Sequence, residues 1–309
     1  MPFPPATIPE RLAGRQEPAG DPAFPTEAYA HCRSLAREHY ENFPVASLLI
    51  PGRLRGPVAA IYAFARRADD FADEPAYEGR RLALLESWSR QLERSAAGEA
   101  SDPIFVALSD VFRRHHLPSA PFQDLLSAFR QDALRSRYQG WAEVLDYCRR
   151  SANPIGRLVL LLFGHRDESL FGLSDSLCTA LQLTNFWQDL AVDAKRGRIY
   201  VPLDEMARHG LPEASLASGE APGSAGFLPL MEDMARRTRE LFEDARSLPH
   251  RIGGRLGFEL RLTWLGGMRI LEESRRIRFD VFRHRPTLGV ASRTSVLLRA
   301  CLSAVREGG

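Results

Sequence analysis

The chain has 309 residues, and its 41 lysines and arginines nearly balance its 39 aspartates and glutamates, for a formal net charge of +2. This balance gives no electrostatic basis for binding nucleic acid. The length is compatible with one domain, and there is neither an apolar run of roughly 20 residues nor a signal-peptide pattern, so we expect a cytoplasmic protein.

The N-terminal residues 1–25 are rich in proline and lack periodic hydrophobicity. A segment of this composition cannot bury enough apolar surface to fold, which predicts a disordered arm. Thr26 is suited to cap a first helix, predicted over residues 28–42. No internal linker divides the rest of the chain, so residues 26–309 are predicted to form a single helical domain.

Helical periodicity recurs along the chain, and no segment alternates as a half-buried strand does, so we predict an all-α protein. Besides the two helices described below, the pattern predicts helices at 78–97, 104–115, 122–138, 203–209, 227–248, 256–278 and 288–306. Residues 213–226, rich in Ala, Ser, Gly and Pro, are predicted to form a loop. Pro154 is expected to kink a helix, because proline cannot donate a helical hydrogen bond.

The first candidate functional stretch is residues 60–74, an apolar run that ends in closely spaced acids. A helix that is apolar all round is buried, and buried carboxylates are costly unless they are paired or bind a metal. At spacings of three and four, one face of this helix carries Tyr62, Arg66, Asp69, Asp70 and Asp73.

The second candidate stretch is residues 181–202. Gln182, Asn185, Asp189 and Asp193 share one helical face, while leucines and aromatic residues occupy much of the remaining surface. The two acidic faces predict a shared cluster of divalent cations, since magnesium uses hard oxygen ligands and keeps positions open for phosphates. The alternative is a solvated face with local ion pairs; two matched stretches within apolar helices favour the metal site.

The late part of the chain is basic, with a run of cationic side chains at Arg275, Arg276, Arg278, Arg283, His284 and Arg285. A solvated helix end explains this run. Peripheral contact with an anionic membrane surface, at the inner face of the membrane, is the alternative.

The two stretches together resemble the squalene/phytoene synthases, a family of head-to-head prenyl synthases. The family's first motif has the form D-D-x-x-D, which Asp69, Asp70 and Asp73 match. Its second motif, Q-x-x-N-x-x-x-D-x-x-x-D followed by R-x-Y, is matched by Gln182, Asn185, Asp189, Asp193, Arg198 and Tyr200. The resemblance extends over residues 31–286.

The resemblance implies an isoprenoid synthase-type helical bundle around a central apolar cavity. It also implies an enzyme that ionises a prenyl diphosphate with two or three Mg²⁺ ions. The ions would be held by Asp69, Asp73, Asn185, Asp189 and Asp193, the residues also assigned the catalytic role. Tyr62, Arg66, Asp70, Gln182, Arg198 and Tyr200 would contact the substrate, with the arginines and Tyr200 positioned for its diphosphate.

Several departures from the family pattern point to one of its branches. Family members have hydroxyl residues before Phe43, where this chain has Tyr40, Glu41 and Asn42. Gln188 replaces an arginine of the second motif, and Arg149 and Asn153 replace an aromatic residue and a glycine near the kink. These features resemble the hydroxysqualene synthases of bacterial hopanoid pathways, and we expect Asn42, Phe43, Arg149, Asn153 and Gln188 to contribute to the substrate pocket.

The branch resemblance implies a reaction in which presqualene diphosphate is ionised and water captures the rearranged cation, giving hydroxysqualene. It implies functional coupling to a separate presqualene diphosphate synthase and to a flavin-dependent reductase, with no nicotinamide or flavin in this chain. A squalene, dehydrosqualene or phytoene synthase that condenses two prenyl diphosphates remains an alternative. A non-catalytic assembly or membrane-surface protein is a minor alternative, which the retained acidic residues disfavour.

Overall fold

A computed structural model of the chain describes residues 23–38 and 49–287. They form the helices α1 (Ala23–Glu38), α2 (Gly52–Asp73), α3 (Arg81–Ala96), α4 (Pro103–His115), α5 (Ala120–Leu134), α6 (Trp141–Ser151), α7 (Asn153–Leu162), α8 (Glu168–Lys195), α9 (Leu203–Arg208), α10 (Glu213–Ser218), α11 (Phe227–Asp244), α12 (Leu248–Ile252) and α13 (Gly254–Arg276). The described residues contain no strand, which confirms the all-α prediction.

Most of the predicted helices lie within a few residues of their observed bounds. The first helix begins at Ala23 rather than near Thr26, and the predicted loop 213–226 is wrong, because it contains α10 and a short 3₁₀ turn. Leu216 is buried, so α10 gains packing that its small-residue composition did not reveal. The predicted helix at 288–306 and residues 1–22 of the predicted arm lie outside the described residues.

The chain between α5 and α6 was predicted to continue as helix to residue 138, but α5 ends at Leu134 and the following residues run extended. The backbone N–H of Ile199 donates to the Ser136 carbonyl at 2.9 Å, and that of Leu203 donates to the Tyr138 carbonyl at 2.9 Å. These hydrogen bonds fix the segment after α8 against the end of α5. They thereby place Arg198 beside the acidic end of α2.

The core has two apolar clusters, one built mainly from α1 to α5 and the other mainly from α6 to α13. Phe64 and Trp88 anchor the first cluster with stacked rings 6.0 Å apart. In the second, Tyr200 stacks on Phe186 with ring centroids 3.8 Å apart. Burying each side chain of this size contributes roughly 1.5–3 kcal/mol, so these clusters hold the surrounding helices in register.

A cavity of about 240 Å³ lies between the two clusters. Helices α2, α5, α6, α7 and α8 each contribute side chains to its wall, which is largely apolar. This cavity confirms the bundle with a central apolar space. None of the described helices combines the length and the apolar character needed to cross a bilayer.

Candidate active site

A second, polar cavity of about 760 Å³ adjoins the apolar one. Its wall includes Asp69 and Asp73 of α2, Asp132 of α5, and Arg198 of the segment after α8. Arg66 and Asp69 line both cavities. The polar cavity is therefore the charged mouth of the site, and it continues into the apolar cavity.

The acidic face of α2 is partly neutralised by its own arginine. The guanidinium of Arg66 lies 3.2 Å from a carboxylate oxygen of Asp69 and 2.8 Å from one of Asp70. These contacts follow from helical geometry, which brings residues three and four positions apart onto one side. Tyr62, one turn earlier, lines the apolar cavity.

Asp73 is held by an arginine from the second motif. Arg198 donates two hydrogen bonds to the Asp73 carboxylate, at 2.9 and 2.6 Å, and Arg196 lies 3.8 Å away. A bidentate pair of this kind fixes orientation as well as charge. It joins the end of α2 to the loop after α8, so the two motifs meet here.

The carboxylates of α8 lie near this junction, although neither Asp189 nor Asp193 is among the residues that line the two cavities. Asp193 is close enough to Asp189, Asp73 and Arg198 for their charges to act on its ionisation. Asp189 accepts hydrogen bonds from Arg285, one of them at 3.1 Å. Asn185 is exposed on α8, and no side-chain contact links it to the cluster among the described residues.

Two carboxyl groups in the wall of the polar cavity, Asp69 and Asp132, and the nearby Asp193 have raised pKa values. Burial, followed by the charge of Asp73, raises the pKa of Asp69 to about 7. Burial, followed by the charge of Asp189, raises the pKa of Asp193 to about 7. Burial raises the pKa of Asp132 to about 7 as well, even though Tyr147 donates a hydrogen bond to it. Burial is the main cause in each case, so these carboxylates are costly to ionise in the folded protein.

Asp132 is a site residue that the motif analysis missed. The hydroxyl of Tyr147 donates to its Oδ2 at 2.7 Å, whereas its Oδ1 is buried without a hydrogen-bond partner among the described residues. No motif includes this lone aspartate, and only the position of the end of α5 brings it to the mouth. The one signal in the sequence that could have pointed to Asp132 was its position directly after Gln131 in a largely apolar helix.

The residues at the mouth fit a divalent cation in their chemistry. They supply several carboxylate oxygens, the ligands that Mg²⁺ prefers, and the raised pKa values indicate carboxylates that additional positive charge would stabilise. Among residues 23–38 and 49–287, no group of three or more potential ligands is already arranged around a common point. Asp69, Asp73 and Asp189 instead form ion pairs with arginines. The magnesium site therefore stays a prediction.

Five of the residues expected to contact the substrate line neither cavity. Arg149 was predicted to lie in the pocket wall, but it is exposed and its guanidinium binds Asp146 at 2.9 Å, because residue 149 lies on the opposite side of α6 from Tyr147. Asn153 is buried and accepts a hydrogen bond from Thr179 at 3.0 Å. Gln188 is also buried, and it donates to the Pro286 carbonyl.

Tyr200 and Asp70 are the other two of these residues. Tyr200 is buried in the aromatic cluster beneath the mouth, and Asp70 pairs with Arg66. Gln182, by contrast, lines the apolar cavity as expected. Asn42 and Phe43 lie outside the described residues.

The raised pKa values predict a pH dependence for the metal-free protein. Each of the three carboxyls ionises near its ordinary value of 3.8 when unfolded and at about 7 when folded. The folded state therefore binds more protons between these values, and these groups lower the free energy of unfolding as pH rises. Asp132→Asn should weaken this fall, so in EDTA the variant should gain stability over the wild type on going from about pH 5 to about pH 8. Urea denaturation measures this difference, and parallel pH profiles would contradict it.

Comparison with known proteins shows the family of this chain. The model of the squalene/phytoene synthase family matches residues 36–291. A phytoene synthase from Arthrospira platensis is 31% identical over 277 residues, covering 85% of this chain and 89% of that protein. A hydroxysqualene synthase from Zymomonas mobilis is 39% identical over 227 residues, covering 71% of this chain and 74% of that protein.

Solved structures show the same fold. A crystal structure of a squalene synthase from Alicyclobacillus acidocaldarius superposes with a TM-score of 0.79 at 39% identity, covering 84% of this chain and 97% of that chain. The matched residues 36–291 of this chain include the helices that form its polar mouth and its apolar cavity. The chain belongs to the squalene/phytoene synthase family, whose members are enzymes acting on prenyl diphosphates.

Proposed function

We propose that this enzyme ionises presqualene diphosphate and that water captures the rearranged carbocation, giving hydroxysqualene and diphosphate. The observation that carries the proposal is the junction of the two cavities, where charged residues suited to a diphosphate meet an apolar space suited to hydrocarbon chains. The 39% identity to a hydroxysqualene synthase favours this branch of the family.

In this proposal Asp69, Asp73, Asn185, Asp189 and Asp193 hold two or three Mg²⁺ ions. Bound magnesium would act as a Lewis acid that neutralises charge on the departing diphosphate. Neither a nicotinamide nor a flavin takes part, since water rather than hydride completes the reaction.

The arginines of the mouth bind and orient the diphosphate. Arg66 and Arg198 already lie at the cavity wall, and each is bound to carboxylates assigned to the metal site. When cations neutralise those carboxylates, the guanidinium groups can donate to phosphate oxygens instead. Arg81 also lines the mouth, and its buried Nε has no hydrogen-bond partner among the described residues.

The apolar cavity binds the hydrocarbon chains next to the ionising carbon. Its wall includes Val58, Ile61, Phe129, Ile155 and Val159. An apolar wall excludes bulk water, which prevents random quenching of the cation and strengthens electrostatic interactions at the mouth.

A condensing synthase is the second candidate. The 31% identity to a phytoene synthase over 85% of the chain favours it, and the same carboxylates would serve a reaction that joins two prenyl diphosphates. A non-catalytic assembly or membrane-surface protein is disfavoured, because every acidic position of both motifs is filled.

The proposed partners are a presqualene diphosphate synthase and a flavin-dependent reductase that consumes the alcohol. Peripheral membrane contact is a further proposal, and the late arginines give it limited support. Arg275 binds Glu232 at 2.7 Å, and Arg276 binds Glu273 at 2.7 Å. These ion pairs agree better with a solvated helix end.

The test compares two substrates under the same conditions. The purified protein is incubated with Mg²⁺ and either presqualene diphosphate or farnesyl diphosphate, and products are identified by mass spectrometry. We expect hydroxysqualene from the first substrate and little or no product from the second. Efficient formation of presqualene diphosphate, squalene or phytoene from prenyl diphosphates by the protein alone would assign it to the condensing synthases.

A further inference from the structure

One polar group in the wall of the apolar cavity has no role in the site described so far. Ser151 lines this cavity, and its Oγ is buried with no hydrogen-bond partner among the described residues. A buried hydroxyl without a partner costs free energy, so native proteins rarely retain one without a reason.

The local fold explains why the hydroxyl faces the cavity. Ser151 is the last residue of α6, four positions after Tyr147, so the two side chains lie on the same face of the helix. The chain then breaks at Ala152, and α7 begins with Asn153 and Pro154. A helical serine commonly donates to the carbonyl four residues earlier. Ser151 makes no such bond, which leaves its hydroxyl available to the cavity.

The other polar groups of this wall are placed differently. Tyr147 donates its hydroxyl to Asp132, and Arg66 and Asp69 bind each other at the mouth. Gln182 of α8 also lines the cavity and supplies an amide. A buried water needs two to four polar partners, and Ser151 and Gln182, which both line this cavity, can each supply one.

We propose that Ser151 positions the water molecule that captures the carbocation; this rests on the proposed function. The bond between carbon and the diphosphate oxygen breaks, and the leaving diphosphate keeps the electron pair. The cyclopropylcarbinyl cation then rearranges as bonds of the three-membered ring shift and open. The water oxygen, held by Ser151 Oγ, then donates a lone pair to the cationic carbon and forms the new C–O bond. The proton that this water loses passes to the released diphosphate, so Ser151 remains unchanged.

The test measures how the cation is partitioned between products. Ser151→Ala removes the hydroxyl, and Ser151→Thr keeps one. With presqualene diphosphate and Mg²⁺, we expect the alanine variant to release diphosphate at a rate within about threefold of the wild type, while its alcohol fraction falls by about 3- to 10-fold, the effect of one hydrogen bond. The missing alcohol should appear as alkene, formed when the cation loses a proton. The threonine variant should restore alcohol formation.

Ser274→Ala is the matched control, because Ser274 is buried but donates to the carbonyl of Ile270 in its own helix and lines neither cavity. It should leave the alcohol fraction unchanged. If Ser151→Ala is unstable, Ser151→Cys replaces it, since a thiol of similar size is a weak donor. A wild-type alcohol fraction in the alanine or cysteine variant would overturn the role of Ser151, as would loss of diphosphate release by a folded variant. Absence of alcohol from the wild type would instead refute the proposed function itself.

Discussion

Replacing Asp69 or Asp189 by asparagine is expected to abolish turnover while leaving the fold intact. Asparagine keeps the shape of the side chain but removes the charge that a divalent cation requires. Because metal stabilisation of the leaving group contributes several kcal/mol, we expect kcat to fall on the order of 10³-fold or more. Steady-state assays with presqualene diphosphate and saturating Mg²⁺ measure the loss.

The stability of the same variants separates a catalytic effect from a structural one. Burial and the charge of Asp73 raise the pKa of Asp69, so the ionised carboxylate destabilises the metal-free fold near pH 8. Asp69→Asn should therefore melt at or above the temperature of the wild type in EDTA. Asp175→Asn is the control, because Asp175 binds Arg157 outside both cavities; its activity should stay within about threefold of the wild type. Near-normal turnover by Asp69→Asn would refute the metal assignment.

Replacing Arg198 by alanine is expected to change two properties in opposite directions. Arg198 makes the bidentate pair with Asp73 and lines the polar cavity, so it competes with a cation for that carboxylate and later donates to the diphosphate. The variant should bind Mg²⁺ more tightly in calorimetry without substrate. Its kcat should fall by about 10²- to 10³-fold, the loss typical of removing one preorganised donor at a departing charge.

Arg198→Lys and Arg157→Ala complete this experiment. Lysine keeps the charge but cannot form a bidentate pair, so we expect an intermediate kcat. Arg157 binds Asp175 away from the mouth, and its alanine variant should leave both kcat and Mg²⁺ affinity close to wild type. A parallel loss of metal affinity and activity in Arg198→Ala would indicate local collapse rather than the exchange of partners described here.

The sequence predicted the acidic faces of α2 and α8 because helical periodicity determines which residues share a side. It also matched Arg198 to a family motif, but its pairing with Asp73 depends on backbone hydrogen bonds between residues 136–138 and 199–203. No local pattern encodes that contact. The importance of Asp132 is non-local for the same reason, since it arises from where α5 ends.

Arg149 and Asn153 were predicted to contribute to the substrate pocket but do not line it, for a related reason. The sequence shows that Arg149 and Asn153 are polar, but not which side of the broken helix faces the cavity. The packing of α6 decides this: the face that carries Tyr147 and Ser151 lines the cavity, and Arg149 lies on the opposite face and binds Asp146. Arg285 illustrates the same limit on a larger scale: it was interpreted as part of a solvated or membrane-facing end, yet it binds Asp189, 96 positions earlier in the chain.

The most direct test of the central claim is the source of the product oxygen. The enzyme is incubated with presqualene diphosphate and Mg²⁺ in oxygen-18 water, with and without NADPH, and the product is analysed by mass spectrometry. Water capture predicts hydroxysqualene that carries the heavy oxygen in its hydroxyl group, at a rate and yield that NADPH does not change. An unlabelled alcohol, or a switch to squalene when NADPH is added, would contradict the account.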